Sequence, residues 1–525
     1  MSRAIVIGGG HNGLAAAFYL AKAGLKPIVL EQRDHIGGAA LTGELHPGFR
    51  CPTLAHHTSV WSDVVLEMGL GGHGLEFLTP HVEVFAPGHD GRALVLYDDA
   101  QRTADAMRRA HSRDAQAYPA YRTAMQHVSS VLASLFSSPP PGIDQPSAGD
   151  LWRLLKTGRR FRALGRRDGY RLLRWAPMPV ADLTREWFES ELLCASIAGP
   201  ALSGTMMGPR SAGSGLVLLM QEANRLLSSR KSRVRGGPGA LTMAMAAAAR
   251  AAGAEIRTGM PVERIVVRHE RVAGVLAGGE ELTAATVVSA VDPKTTFLRL
   301  MDPVDLTPDF ITKIRNYRSS GTLAKINLAL VALPNFEGPV EAGHCVPSEV
   351  LSGRIHIGPG LDYLERAFDH VKYGEMSSEP WLDITIPSIL DPDLAPAGAH
   401  VMSIYVHYAP YRLRDGAWAA MKGTLLDRVL KTLERYAPGI SALVVAAQTI
   451  TPAEMETDFG LWGGHPFHGE LALDQLFTMR PLLGYGRYDS PIGGLHLCGA
   501  GTHPGGFMTG ASGRLASAEI VRTLA

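Results

Sequence analysis

Gly8, Gly10 and Gly13, in the run Gly8-Gly9-Gly10-His11-Asn12-Gly13, have the types and spacing that hold a dinucleotide, with Glu31 eighteen residues beyond them. In such a turn Gly8 permits the bend, Gly10 lets the backbone approach a pyrophosphate, and Gly13 lets a helix pack closely on a strand. His11 and Asn12 open that helix, whose unpaired N–H groups and positive dipole end favour phosphate oxygens. Glu31 would accept hydrogen bonds from ribose hydroxyls. An acid there, rather than an arginine, disfavours a 2′-phosphate and leaves NAD or FAD.

The elements that must position these groups stand in order around them. Ala4-Ile5-Val6-Ile7 reads as a strand, Leu14, Phe18 and Ala21 have helical spacing, Gly24 caps the helix, and Lys26-Pro27-Ile28-Val29-Leu30 reads as the next strand. Gln32, Arg33, Gly37, Gly38 and Ala39 follow, and a second glycine pair so close to the acid implies a further backbone approach that a plain NAD unit does not need. Farther on, Arg235-Gly236-Gly237-Pro238-Gly239 precedes an alanine-rich helix, the segment from Val262 to Val267 reads as a strand continuing the same sheet, and Thr286-Val287-Val288-Ser289 is another strand. Near the end, Gly499-Ala500-Gly501-Thr502-His503-Pro504-Gly505-Gly506 could pass for a second dinucleotide turn. The chain ends at Ala525, too soon for the strand and acid such a unit needs.

On these residues, with Pro47-Gly48-Phe49-Arg50, Ile386-Pro387-Ser388, His468-Gly469-Glu470 and Arg480-Pro481, the chain resembles the FAD-containing family of phytoene desaturases and amine oxidases. Within it the resemblance is to the phytoene-dehydrogenase-related branch that includes desaturase-like carotene ketolases. It implies FAD, an acid followed by R-x-x-x-G-G at Arg33 to Gly38, an adenine held by the backbone at Val262, and a flavin passed by Gly501, Thr502, Met508, Thr509 and Gly510. It also implies an α/β fold: a Rossmann-like FAD domain assembled from residues 1–55, 226–296 and 476–525. A helical insertion at 56–225 and a mixed substrate-domain sheet at 297–475 would be threaded between those pieces.

A flavin enzyme needs little acid-base equipment, because the isoalloxazine accepts hydride at N5. The expected activity is an FAD-dependent dehydrogenase or oxidase acting on an apolar or amine-bearing small molecule, with oxygen, quinone or a protein as electron acceptor. An isoprenoid desaturase, isomerase or ketolase, or a flavoprotein acting through partners, are the other readings. His503, inside the flavin turn, is the candidate catalytic side chain, and a hydrogen-bonded structural histidine beside Pro504 is its alternative. Ser403, Tyr405 and His407 share one face of a strand and could line the pocket. His56 and His57, and His465 and His468, have ligand-like spacing without a companion acid or cysteine cluster in sequence, so no metal is expected.

The composition sets outer limits. The formal charge of +1 disfavours a nucleic-acid partner. Cys51, Cys194, Cys345 and Cys498 are each more than a hundred residues from the next, so the dithiol of a disulfide reductase is missing. A reducing, cytoplasmic setting is expected: no export signal opens the chain and no apolar run reaches the about 18 residues of a spanning helix. Residues 152–175 stand apart. Arg153, Lys156, Arg159, Arg160, Arg162, Arg166, Arg167, Arg171 and Arg174 face one acid, Asp168, and are interleaved with aromatic and aliphatic residues. Peripheral membrane contact is one reading of this segment, and a solvated face or subunit contact is the other.

Overall fold

A computed structural model describes residues 3–88, 93–142, 146–228, 233–336 and 347–524. Strand Arg3–Ile7 lies at the centre of a five-stranded sheet, flanked by Lys26–Leu30 and Thr286–Ser289, with Glu255–Arg257 and Leu495–Leu497 at the edges. Every pairing in it is parallel. The β-branched runs Ala4 to Ile7 and Val287 to Val288 are buried on both faces, as a parallel sheet covered by helices on each side demands. Segments from the beginning, middle and end of the chain therefore meet in one sheet.

Val262–Arg268 does not extend that sheet. It forms a separate three-stranded antiparallel sheet with Arg271–Ala277 and Glu280–Thr283. The alternation of exposed Glu263 and Arg264 with buried Ile265 suits a sheet with one wet face rather than a doubly covered one.

A seven-stranded sheet carries the other side of the molecule, in the order Val444–Ile450, Leu323–Leu330, His400–His407, Leu382–Thr385, Arg354–Ile357, Val84–Pro87 and Ala93–Leu96. It is antiparallel except where Arg354–Ile357 meets Val84–Pro87. Two of its strands thus come from within 56–225 and five from 297–475, so the two expected substrate segments share one sheet. Helices Ser112–Phe136, Glu191–Leu202 and Ser214–Leu227 cover its cofactor-facing end and pack on one another.

Helix His11–Lys22 is clamped between the central sheet and the last helix, Ala511–Leu524. The contact is backbone on backbone: a Cβ on Gly513 would lie 2.1 Å from the Asn12 carbonyl oxygen, and Ser517 Oγ donates to the Ala16 carbonyl at 3.2 Å. Adding one methyl at Gly513 must push the two helices apart, an overpacking cost of about 1–3 kcal/mol. Gly513→Ala is expected to lower the thermal unfolding midpoint and to weaken flavin retention with it, and Ser517→Ala to shift the midpoint less. Calorimetry of the two variants beside the parent checks this ordering.

Candidate functional site

The turn from Gly8 to Gly13 is built as its spacing implies. Gly8 has φ +98°, and a Cβ on Gly13 would sit 2.1 Å from the Gly8 carbonyl oxygen. Gly10 caps helix His11–Lys22 in an extended conformation with no side chain over the helix end. A Cβ there would meet only the Gly38 Cα, at 3.8 Å. Gly38 in turn faces Gly10 closely, the Gly37 N–H donates to the Gly9 carbonyl at 3.0 Å, and Gly10 and Gly37 form a parallel bridge. The second glycine pair is therefore folded against the first.

Glu31 is buried. Its Oε2 accepts from the Gly9 N–H at 2.7 Å and its Oε1 from the Arg33 N–H at 3.1 Å. Arg33 Nη2 donates to the Gly38 carbonyl at 2.9 Å, joining acid, turn and glycine pair. Gln32 is exposed and lies against Gly460. The Met260 N–H donates to the Glu31 carbonyl at 2.9 Å, which carries the chain past the acid and into Val262. Among the described residues, His11 Nε2 and Asn12 Oδ1 are buried at the helix start without hydrogen-bond partners. An open glycine cradle, a free helix N-terminus, orphaned polar atoms and a buried acid together fit a dinucleotide.

From this turn a cavity of about 520 Å³ runs toward the seven-stranded sheet. Ala39, Ala40, Ala500, Phe507 and Met508 wall its cofactor end, Tyr118, Tyr121 and Met125 its helical side, and Arg354, Asp383 and Tyr405 its sheet side. Of the expected flavin-turn residues, Met508 reaches the cavity. Gly501 is pressed on Pro293, Thr502 Oγ1 donates to the Gly499 carbonyl at 2.8 Å, the Thr509 carbonyl accepts from the Trp61 N–H at 3.1 Å, and Gly510 packs on Val64. His503 does not line the cavity. It is fully buried, edge-on to Phe136 and Phe477 with ring centroids 5.9 and 5.5 Å away, and burial lowers its pKa to about 4. The turn aims its ring into the protein rather than at the cavity.

The charged groups on the wall balance: Arg122, Arg225, Arg233 and Arg354 against Glu83, Asp98, Glu222 and Asp383. Arg225 holds Glu222 at 2.7 Å and Asp98 at 3.1 Å, and Arg354 holds Asp383 at 3.2 Å. Burial works against the Arg122 charge, and Glu83 and Glu222 outweigh it. Two of the wall imidazoles add no charge: burial, then Arg233, lowers the His57 pKa to about 4, and burial, then His468, lowers that of His11 to about 4.

Arg233, Lys325, Arg354 and Asp383 carried no signal in the motif reading, yet they surround the sheet end of the cavity. Lys325 is fully buried in strand Leu323–Leu330, its Nζ 3.2 Å from His56 Nδ1, hydrogen-bonded to Ser403 Oγ and 4.6 Å from the centre of the Tyr405 ring. The one sequence signal was a lone charge inside an apolar eight-residue strand. Of the strand face Ser403, Tyr405 and His407, Tyr405 reaches the cavity, Ser403 turns to Lys325, and His407 stacks on Trp381 at 3.6 Å.

Asp383 is the acid that His56 and His57 lacked in sequence; the three bring ligand-type atoms within 4.8 Å of one another. Arg233 Nη1, an obligate donor, lies 2.9 Å from His57 Nδ1. That places the imidazole proton on Nε2, the nitrogen facing Asp383, where a cation would need a lone pair. Lys325 and Arg233 already place two cationic donors against His56 and His57, which disfavours a metal ion there. The described cysteines are equally unsuited to exchange: Cys51, Cys194 and Cys498 are buried and unpaired, and burial pushes the Cys51 and Cys194 thiols up to about 12. Cys345 lies outside the described residues.

A split parallel sheet with a glycine cradle opening on a largely apolar cavity defines an FAD-dependent oxidoreductase. The chain belongs to the flavin containing amine oxidoreductase family, whose model matches residues 13–521. It is 37% identical to pyridine nucleotide-disulfide oxidoreductase domain-containing protein 2 of Rattus norvegicus, across 99% of this chain and 93% of that one. It is 26% identical to a limonene dehydrogenase subunit of Castellaniella defragrans, across 99% and 94%. Its fold matches cyclohexylamine oxidase of Brevibacterium oxydans with a TM-score of 0.58 at 16% identity, covering 100% of this chain and 99% of that one.

Burial lowers the Lys325 pKa from 10.5 to about 7, against the opposing pull of Cys51 and Asp383. Between about pH 7 and 10.5 the unfolded chain then holds a proton the folded one has released, so stability rises with pH in that window and is flat in this term below it. Lys325→Met is expected to reduce that slope by one proton, about 1.4 kcal/mol per pH unit, in denaturant titrations across the window.

Proposed function

We propose that this flavoenzyme dehydrogenates an uncharged, largely apolar small molecule. The observation that carries the reading is the balanced cavity wall. An ammonium would need an unmatched carboxylate; Asp98, Glu222 and Asp383 already face guanidiniums, and Glu83 acts on the buried Arg122. Aromatic and aliphatic side chains fill most of the remaining wall. The name of one relative, a limonene dehydrogenase, points the same way. Of the two substrate types suggested by sequence, the apolar one is therefore preferred to the amine-bearing one.

In this reading the backbone at Gly8, Gly10, His11, Asn12 and Gly13 takes the pyrophosphate, and Glu31, braced by Arg33, takes the adenosine ribose. Val262 would hold the adenine, and the backbone from Met508 to Gly510, leading into helix Ala511–Leu524, would supply a helix N-terminus to the negative charge that reduction places on the flavin. When bound, FAD supplies a hydride acceptor. The chain's own residues do the rest: Tyr118, Tyr121, Phe507 and Met508 exclude water and fix the substrate, and His11 and His57, held neutral, keep the wall from drawing ions. His503, packed away from the cavity, has no part in the proposed chemistry.

Gly10 offers a direct test of the cofactor assignment. A methyl there has clearance from the protein but enters the space the pyrophosphate would use. Gly10→Ala is expected to fold with the parent's circular dichroism and apo-form unfolding midpoint yet to lose FAD on gel filtration; retention of full FAD would remove the turn from the site. For the substrate, anaerobic mixing with matched neutral alkenes and primary amines is expected to bleach the flavin band near about 450 nm with the alkenes. Bleaching by amines alone would refute the uncharged-substrate reading.

A further inference from the structure

Two consecutive helices, Ala148–Ala163 and Gly165–Trp175, lie on the surface with the wrong side chains outward for water alone. Leu151, Trp152, Leu154 and Leu155 are exposed on the first, Trp152 by 65%, and Tyr170 and Leu173 by 62% and 63% on the second. Leu151, Leu154 and Leu155 stand at helical i, i+3 and i+4 spacing, so they form one apolar face. Around it Lys156, Arg159, Arg160, Arg162, Arg166 and Arg167 are all exposed. Among the described residues none of these six takes part in an ion pair, whereas Arg153, Arg171 and Arg174 are matched by Asp150, Asp168 and Glu186. The unmatched cations are thus those beside the exposed apolar residues.

We propose that this helical pair docks on an anionic lipid surface, Trp152, Leu155, Tyr170 and Leu173 entering the headgroup boundary while the six cations meet the lipid phosphates. Charge complementarity selects that occupant. In a two-fold contact with a second copy the patch would face itself, cation against cation. A polyanion without an apolar layer would leave the leucines and Trp152 wet. No helix among the described residues is long and apolar enough to cross a membrane, so the contact is peripheral. Its position suits an apolar substrate: both helices pack on helix Ser112–Phe136, whose Tyr118, Tyr121 and Met125 wall the cavity.

The FAD-loaded protein is sedimented with vesicles of neutral phosphatidylcholine and of phosphatidylcholine mixed with phosphatidylglycerol. Binding is expected to the anionic vesicles, much less to the neutral ones, and to fall in about 1 M salt, where charges are screened beyond about 3 Å. Combined Arg159→Glu, Arg160→Glu, Arg166→Glu and Arg167→Glu is expected to weaken partitioning roughly a hundredfold or more, since each basic residue near such a surface contributes about fivefold. Trp152→Ser with Leu155→Ser is expected to weaken it while leaving the salt dependence. Both variants should keep their flavin absorbance, which reports an intact fold. Failure to bind anionic vesicles at low salt, or unchanged binding by the charge-reversed variant, overturns the proposal. So does a parent oligomer that leaves vesicles alone and is dissolved by the same charge reversal, which would make the face a contact between copies of the chain.

Discussion

The buried guanidinium of Arg480 joins the cofactor half of the molecule to the cavity. It is fully enclosed, and five backbone carbonyls take its hydrogen bonds: Glu470 and Gln475 through Nη1, and Phe467, Gly469 and Ala500 through Nη2, at 2.8 to 3.2 Å. Phe467 and Ala500 are themselves cavity wall. Gly505 is pressed on the same guanidinium, where a Cβ would fall 2.7 Å from Nε. A planar group with five donors in a fixed fork spans carbonyls spread along a loop, where a lysine's compact ammonium has three donors around one point. The segment from 465 to 480 has little regular structure to satisfy its own backbone, and this one side chain does so for much of it. Burial lowers the Arg480 pKa, so the charge persists through those carbonyl dipoles.

Burial also decides what the cavity can and cannot do. It holds His11 and His57 neutral at the wall, and His356 and His407 behind it, so these four imidazoles contribute no charge at neutral pH. The guanidiniums and carboxylates on the wall are equal in number. A chamber of that kind offers placement and dryness rather than proton transfer, which matches a reaction whose electron acceptor is supplied by the cofactor.

The glycine turn, the acid at Glu31 and the second glycine pair were legible because each answers a local demand: a tight bend, a close approach, an anion at a helix end. The strand at 286–289 was legible as a short β-branched run. The strand beginning at Val262 was legible as a strand, but it pairs only with Arg271–Ala277, which in turn pairs with Glu280–Thr283, so it opens a local meander joined by tight turns rather than continuing the parallel sheet. The sheet end of the cavity was opaque because Arg233, Lys325, Arg354 and Asp383 come from four separate elements and each looks, alone, like an ordinary charge. His503 shows the limit from the other direction. Sequence proximity to the flavin turn fixes where its backbone runs and says nothing about which way the ring points; Phe136, from a helix nearly four hundred residues earlier, supplies that answer.

The thiols bear on what kind of oxidoreductase this is. Dithiol exchange requires two sulfurs within bonding reach and at least one thiolate near neutral pH. Cys51 lies beneath the sheet end of the cavity, Cys194 in helix Glu191–Leu202 and Cys498 at the end of strand Leu495–Leu497; all three are buried, unpaired and pushed away from the thiolate form. Even Lys325, the cation that acts to lower the Cys51 pKa, does not offset the burial. The 37% identity to the rat relative spans 99% of this chain, and among the described residues the dinucleotide fold is joined to a charge-balanced cavity rather than to a redox cysteine pair.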